Sequence, residues 1–424
     1  MFKRLALVTV ATIALVVPAT AGADVVTDWN RIMVGALETA GPAPPLASRD
    51  AAIVQASVFD AVNGIARRYT PVHVPPAAPR GASRAAAAAG AAHESLVGLF
   101  PLQRATLDQQ LSATLAQIGA RDDGRSITAG LQWGEQVADQ ILTWRATDGL
   151  AVTPPPYVAA GVPGRYAPTP PAFAPPAFRQ FATMTPFAIA SPAQFLPAPP
   201  PALTSAQYAS DFNEVKALGS ADSSTIRTPE QTETARFWQS DTPAAIWNRI
   251  ADDLAEQHCA PLLREARMLA LMNISLADAT IAFFNAKNYY DTWRPITAIQ
   301  QADTDGNPGT TPDSTWTPLL VTPSFQEYPS GHAVVSNGAA SVLAAFYGDD
   351  TSFTATSATM TTVQRSFTSF SQAVTQVENA RVWGGIHFRT ATIIGAQMGG
   401  EVADYLLGTH LLPIHGHDGQ HGDA

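Results

Sequence analysis

The chain has 424 residues, a formal net charge of −10 and a single cysteine, Cys259. Its acidic balance and lack of a basic run exclude the usual kind of nucleic-acid-binding protein, and its low content of charged residues, 14%, excludes a chain that is disordered throughout. This length suffices for one large domain or two moderate ones, and one cysteine excludes an intramolecular disulfide.

Residues 1–23 have the pattern of an export signal. Lys3 and Arg4 are followed by an apolar run from Leu5 to Val17 and by the small residues Ala21-Gly22-Ala23. The run is short for a membrane span, so cleavage near its end is favoured over an uncleaved anchor. No later segment has about 20 uninterrupted apolar residues. We therefore expect a mature chain without a transmembrane span, in a secreted or periplasmic location.

Residues 24–410 are predicted to form a single α-helical domain that begins with helices in residues 24–150. In Arg49–Ile65, for example, the apolar residues Val54, Val58 and Val62 fall on one face at helical spacing. The predicted N-terminal helices are 27–40, 47–66, 83–99, 102–120 and 125–146.

Residues 151–203 interrupt the helical pattern with a proline-rich segment. A disordered proline-rich linker is poor in aromatic residues, whereas this segment contains phenylalanine at regular intervals. We therefore predict an ordered but irregular strap laid across the helices. The phenylalanines are Phe173, Phe178, Phe181, Phe187 and Phe195.

Helical patterning resumes in residues 204–410. Cys259 lies between a helical stretch and Pro261, which favours a buried structural thiol over a catalytic one. Residues 411–424 are predicted to be a flexible His/Gly tail, although its histidines, His415, His417 and His421, leave a divalent-metal site as an alternative. The predicted helices here are Ser205–Leu218, Glu230–Gln239, Ala245–Gln257, Pro261–Asn288, a helix from the Pro329 motif to about Tyr347, Thr361–Val382 and Thr390–Leu407.

Three short stretches in this region point to one oxyanion site. They are Lys287 to Arg294-Pro295, Pro329-Ser330-Gly331-His332, and Arg381 to His387. Arginine forks and a lysine charge can donate to the equatorial oxygens of phosphate or vanadate. A serine hydroxyl and a closely approaching glycine amide can donate to the same oxygens. The two histidines are expected on the axial line, one bonded to the central atom and one exchanging protons at the opposite oxygen.

The order, spacing and residue types of these motifs resemble the type 2 phosphatidic acid phosphatase and vanadium-dependent haloperoxidase superfamily. The family pattern is Lys, six residues, Arg-Pro; then Pro-Ser-Gly-His; then Ser-Arg, five residues, His. Residues 262–408 carry the likeness, and 24–30, 48–71 and 200–219 extend it to secreted bacterial haloperoxidase-like members. The resemblance implies an all-α fold, a helical bundle that holds the site in its core.

The resemblance also implies roles for individual residues. The implied cofactor is vanadate, bonded through His387, with His332 as the acid–base group. Lys287 is additionally expected to polarise bound peroxide. The groups expected to surround the oxyanion are Lys287, Arg294, Ser330, Gly331, Arg381 and His387.

Several neighbouring residues have expected roles around the oxyanion. Phe325 stands where haloperoxidases of the superfamily carry Phe, His or Ser on the halide side of the pocket, with ordinary core packing as an equal alternative. Trp293 and Phe284 are expected to line the same pocket. Glu327 is a candidate acceptor for His332, and Arg389 is expected at the surface or behind the site.

Two positions depart from the family pattern. Ala380 replaces the serine that usually precedes the second arginine, and Ala391 replaces an aspartate found in many members. In the phosphatases that aspartate orients the histidine nucleophile. Its absence weakens the case for His387 as an efficient nucleophile.

Two enzymatic functions fit this pocket. The favoured hypothesis is a haloperoxidase-like enzyme that oxidises halide with hydrogen peroxide. The alternative is a secreted acid phosphatase that acts on phosphate esters through a phosphohistidine and needs no cofactor. A phosphate-binding protein without catalysis ranks last, because it has no need of two axial histidines.

Overall fold

The computed structural model describes residues 24–222 and 225–414. The predicted export signal and the tail histidines His415, His417 and His421 lie outside the described residues. The N-terminal helices are α1 (Val25–Ala40), α2 (Pro44–Ala66), α3 (Arg84–Leu99), α4 (Arg104–Ile118) and α5 (Gly124–Arg145).

Side-chain caps fix where several of these helices begin. The Asp24 carboxylate accepts hydrogen bonds from the amides of Val26 and Thr27 at the start of α1, and Asp123 does the same at the start of α5. Helix α2 begins with two prolines, which suit the first turn of a helix because its amides have no partner inside the helix.

The proline-rich strap follows α5 and contains one short 3₁₀ helix, Arg179–Thr183. A buried carboxylate, Asp278, holds it by accepting hydrogen bonds from the amides of Phe187, Ala188 and Ile189 at 2.6–2.9 Å. Of the strap phenylalanines, Phe181 and Phe187 are buried, so the strap contributes to the core as well as covering it.

The second half of the chain is also helical, which confirms the predicted all-α class. The longest helix, α9, packs against α2 and α11. These helices are α6 (Ala206–Leu218), α7 (Pro229–Ser240), α8 (Pro243–His258), α9 (Leu262–Tyr290), α10 (Pro295–Gln300), α11 (Gly331–Tyr347), α12 (Phe370–Trp383) and α13 (Arg389–Thr409).

Helix α9 has the length and apolar composition of a membrane span, the only such helix among the described residues. Its most apolar window is 94% buried inside the protein, which is the position of a core helix.

Helices α11 and α13 pack very closely on one another. A Cβ atom at Gly399 of α13 would collide with the Val334 carbonyl of α11, so glycine is needed at this crossing.

Two local predictions were wrong. The predicted helix Thr361–Val382 begins only at Phe370, and a short hairpin of β1 (Phe353–Thr356) and β2 (Gln364–Phe367) precedes it. Burial alternates along β2, which is strand rather than helix periodicity. Cys259 is exposed instead of buried, and it lies at the C-terminal end of α8 in the left-handed conformation.

Candidate oxyanion site

The three sequence motifs meet at the ends of four helices. Lys287 lies in the last turn of α9, Arg294 precedes α10, and Arg381 lies in the last turn of α12. Ser330 precedes α11, and His387 lies in the short connection between α12 and α13. All five side chains are at most 2% exposed, so the predicted site lies inside the helical bundle.

The connection that carries His387 depends on one glycine. Gly385 has a φ of +76°, which a residue with a side chain rarely adopts. A Cβ atom there would also collide with the Gly219 carbonyl oxygen. The tight turn places the Ile386 carbonyl 2.9 Å from Arg294 Nη1 and His387 Nε2 3.2 Å from the same nitrogen.

A cavity of about 320 Å³ opens onto the motifs. Gly331, His332, Arg381 and His387 form its polar end, and Phe325 contributes to its apolar wall. The remaining lining residues come from both halves of the chain: Pro44, Pro45, Ser48, Phe178, Gln239, Pro243, Thr280, Phe283, Val321, Pro323 and Val335.

Several donors of the motif residues are buried without a hydrogen-bond partner among the described residues. They are the Ser330 hydroxyl, Arg294 Nη2, and Nε and Nη1 of Arg381. Ser330 occupies the cap position of α11, yet its side chain does not cap the helix. Buried donors without partners are strongly unfavourable. A tetrahedral oxyanion offers acceptors for all four, so the residues present fit vanadate or phosphate.

The lysine of the first motif has a different environment from the one expected. Lys287 Nζ donates to the carbonyls of Gln326, Glu327 and Pro329 at 2.8, 2.9 and 2.6 Å. An ammonium has three N–H donors, so all of them are used. Lys287 therefore anchors the loop that leads into the second motif. Burial, followed by the charge of Arg294, lowers the pKa of Lys287 well below its ordinary value.

The two histidines differ in their surroundings. His387 Nδ1 lies 2.9 Å from Glu327 Oε1, whereas His332 borders the cavity near Arg381. Burial and the nearby cations lower the pKa of both imidazoles well below the ordinary value. These surroundings therefore favour the neutral form of both rings. The proposed pairing of Glu327 with His332 was wrong, because Glu327 bonds His387 instead.

The three predicted aromatic pocket residues occupy different places. Phe325 lines the cavity, with its ring centre 5.2 Å from Lys287 Nζ and 5.0 Å from Arg294 Cζ. Phe284 does not reach the cavity and packs behind Phe325 at a ring distance of 5.5 Å. Trp293 lies outside this pocket too, in the wall of a second cavity of about 440 Å³.

The two positions that depart from the family pattern, Ala380 and Ala391, lie in the protein interior. The Ala391 carbonyl accepts a hydrogen bond from the Ser330 amide at 2.9 Å. Position 391 thus supports the second motif through its backbone. Arg389 forms an ion pair with Glu214 and lies away from the cavity lining.

Several contributors to the cavity were not predicted from the sequence, among them a glutamine and two prolines. Gln239 of α7 accepts a hydrogen bond from Arg381 Nη2 at 2.8 Å and lines the cavity. Pro44 and Pro45 bring the start of α2, in the N-terminal half, to the cavity wall. No spacing rule links these residues to the motifs, because only the packing of the two halves brings them together.

Comparison with known proteins agrees with this architecture. The family model described as the VCPO second helical-bundle domain matches residues 267–415. The vanadium chloroperoxidase of Curvularia inaequalis is 26% identical over 186 residues, which are 36% of this chain. The match spans only 30% of that relative's length.

Solved structures match over more of the chain. The first bacterial vanadium-dependent iodoperoxidase is 28% identical, with a TM-score of 0.79 over 92% of this chain and 97% of that one. The holo-type bacterial vanadium-dependent chloroperoxidase is 17% identical, with a TM-score of 0.66 over 85% of this chain and 90% of that one, and shares the fold. Taken with the motifs and the buried site, these matches show that the chain belongs to the vanadium-dependent haloperoxidase superfamily.

Proposed function

We propose that this protein is a haloperoxidase that oxidises halide with hydrogen peroxide at a vanadate held by His387. The observation that carries the proposal is the set of four buried, unpartnered donors on the motif residues Ser330, Arg294 and Arg381, together with the cavity that Arg381, His332 and His387 line. When bound, vanadate supplies a Lewis-acidic centre that activates peroxide without changing its own oxidation state.

The protein's own residues would hold the cofactor and move protons. Arg294, Arg381 and Ser330 would donate to the vanadate oxygens, with the Gly331 amide at the start of α11. His387 would bond the vanadium through Nε2. The described geometry gives Lys287 a supporting role, since its three N–H groups hold the loop before Ser330.

His332 would accept a proton from the incoming peroxide. A base must be unprotonated at the working pH, and the lowered pKa of His332 meets that condition. A phosphatase would need the same imidazole protonated to assist the leaving alcohol. The direction of this pKa shift agrees with the base role of His332, and the apolar wall that includes Phe325 also favours the haloperoxidase.

Acid phosphatase activity is the second candidate, because one observation favours it specifically. Glu327 Oε1 lies 2.9 Å from His387 Nδ1, where a carboxylate can support a nucleophilic histidine. Phosphate would use the same donors as vanadate, since vanadate resembles the transition state of phosphoryl transfer.

One experiment separates the two activities. Purified protein, stripped of phosphate, is assayed with and without orthovanadate for bromide oxidation by hydrogen peroxide and for hydrolysis of an aryl phosphate. Vanadate-dependent bromide oxidation with little hydrolysis supports the haloperoxidase. Hydrolysis that orthovanadate inhibits supports the phosphatase. The absence of both activities would overturn both proposals.

A further inference from the structure

The Glu327 carboxylate and the His387 imidazole form a buried pair. Their side chains are each 3% exposed, and Oε1 lies 2.9 Å from Nδ1. The Phe388 amide donates to the same Oε1 at 3.0 Å. We propose that Glu327 is the positioning residue that fixes His387 as the Nδ1–H tautomer, which leaves Nε2 unprotonated on the side of Arg294 and able to exchange that contact for a bond to the oxyanion.

The other side of the ring requires the same tautomer. Arg294 Nη1 lies 3.2 Å from His387 Nε2, and a guanidinium can only donate hydrogen bonds. Nε2 must therefore be the acceptor and Nδ1 the protonated nitrogen. A carboxylate lies on one side of the ring and an arginine on the other. Both contacts are hydrogen bonds only when the proton is on Nδ1 and Nε2 is unprotonated.

The backbone around Glu327 is held on both sides of the residue. Its amide donates to the Thr292 carbonyl at 3.1 Å, and its carbonyl accepts from Lys287 Nζ at 2.9 Å. The Lys287 anchor and the Glu327 carboxylate thus act on the same short segment. A carboxylate on a fixed backbone can hold an imidazole at a defined angle.

This pairing accounts for the absence of an aspartate at position 391. Ala391 lies in the first turn of α13, where its carbonyl supports Ser330. The acceptor for His387 is instead Glu327, two residues before Pro329. It therefore precedes the second motif, whereas position 391 follows the third. The chain therefore retains a carboxylate–histidine pair but supplies the carboxylate from a different segment.

Two substitutions separate the hydrogen bond from the charge. Glu327→Gln keeps a carbonyl oxygen that can accept from Nδ1 and from the Phe388 amide, but removes the negative charge. Glu327→Met fills a similar volume and accepts no strong hydrogen bond. Asp60→Asn is a matched control, because Asp60 is a buried carboxylate that accepts three backbone amides and belongs to neither cavity lining.

The first measurement is the tautomer of His387 by ¹⁵N NMR of the imidazole, assigned by comparison with His387→Gln. We expect a protonated Nδ1 and an unprotonated Nε2 in the wild-type protein, in Glu327→Gln and in Asp60→Asn. In Glu327→Met only the Arg294 contact still favours the Nδ1–H tautomer, so we expect part of the population to shift to the Nε2–H form. A protonated Nε2 in the wild-type protein would overturn the proposal without reference to any variant.

The second measurement is orthovanadate affinity by isothermal titration calorimetry. Loss of a residue that orients a metal-binding histidine weakens affinity about 10–100-fold. We expect that loss in Glu327→Met, a smaller one in Glu327→Gln and none in Asp60→Asn. Wild-type tautomer and affinity in Glu327→Met would refute the positioning role.

The inference rests on the proposed function only in taking Nε2 as the atom that bonds the oxyanion. The NMR result does not depend on that assumption. If the wild-type protein showed the expected tautomer but did not bind orthovanadate, the proposed function would fail while the assignment of Glu327 would stand.

Discussion

Replacing Arg381 with lysine separates the charge of this side chain from its fork geometry. Arg381 Nη2 donates to Gln239 at 2.8 Å, while Nε and Nη1 have no partner among the described residues. These two N–H groups are the ones available to an oxyanion. A charge-assisted hydrogen bond contributes about 1.5–3 kcal/mol. Lysine can replace one of the two at best, so Arg381→Lys should lose about 1.5–3 kcal/mol of binding free energy.

That loss corresponds to an increase of about 10- to 150-fold in the Kd for orthovanadate. Isothermal titration calorimetry measures it directly, and thermal unfolding checks that the variant is folded. Arg365→Lys is the matched control, because Arg365 is similarly buried but pairs with Glu230 and Glu233 away from the cavity. Wild-type affinity in Arg381→Lys would refute the assignment of these two donors to the oxyanion.

Three further predictions test the fold, its pH dependence and the pocket. Burial raises the pKa of Asp252 to about 8 and that of Glu265 to about 9. The folded state therefore holds these two protons more tightly than the unfolded chain, so the stability that these two groups contribute should fall as the pH rises from about 4 to about 9. Urea unfolding at pH 5, 7 and 9 should show the free energy of unfolding of the wild type falling relative to that of Asp252→Asn as the pH rises, and a difference that stays constant with pH would contradict it. Asp278→Ala leaves three strap amides without their acceptor. It should lower the free energy of unfolding by about 3 kcal/mol or more. A urea midpoint and slope like those of the wild type would show that the strap does not need this carboxylate. Phe325→His should change the ratio of chloride to bromide oxidation, and unchanged steady-state kinetics for both halides would place Phe325 outside the halide's path.

Helix ends and local spacing could be predicted from the sequence because they depend on nearby residues. The spacing of Lys287 and Arg294 places one at the end of α9 and the other just before α10. The Gly-His pair after Ser330 predicts a helix start with free amides. These local rules place the motif residues at the ends of helices without any information about tertiary contacts.

Partner choice could not be predicted in the same way. Glu327 is five residues before His332 in sequence, yet the turn at Gly385 brings His387 to its carboxylate instead. The spacing of Lys287 likewise says nothing about whether its ammonium contacts an anion or three carbonyls. Such choices depend on how loops from distant segments pack, to within about one hydrogen-bond length. The hairpin was missed for a related reason, since the pairing of Phe353 with Phe367 stabilises a strand too short to identify alone.

The charge balance of the site links its stability to its proposed function. Two buried arginines and a buried lysine lie beside the Glu327 carboxyl group, whose Oε1 contacts both His387 and the Phe388 amide. Burial lowers the pKa of Arg294 to about 10 and that of Arg381 to about 9, so the folded protein holds positive charge where it is disfavoured. Uncompensated buried charge destabilises a fold. A bound oxyanion supplies negative charge and accepts hydrogen bonds from the unpartnered N–H groups. The buried charges and unpartnered donors that reduce the stability of the anion-free protein are therefore the same groups that favour anion binding.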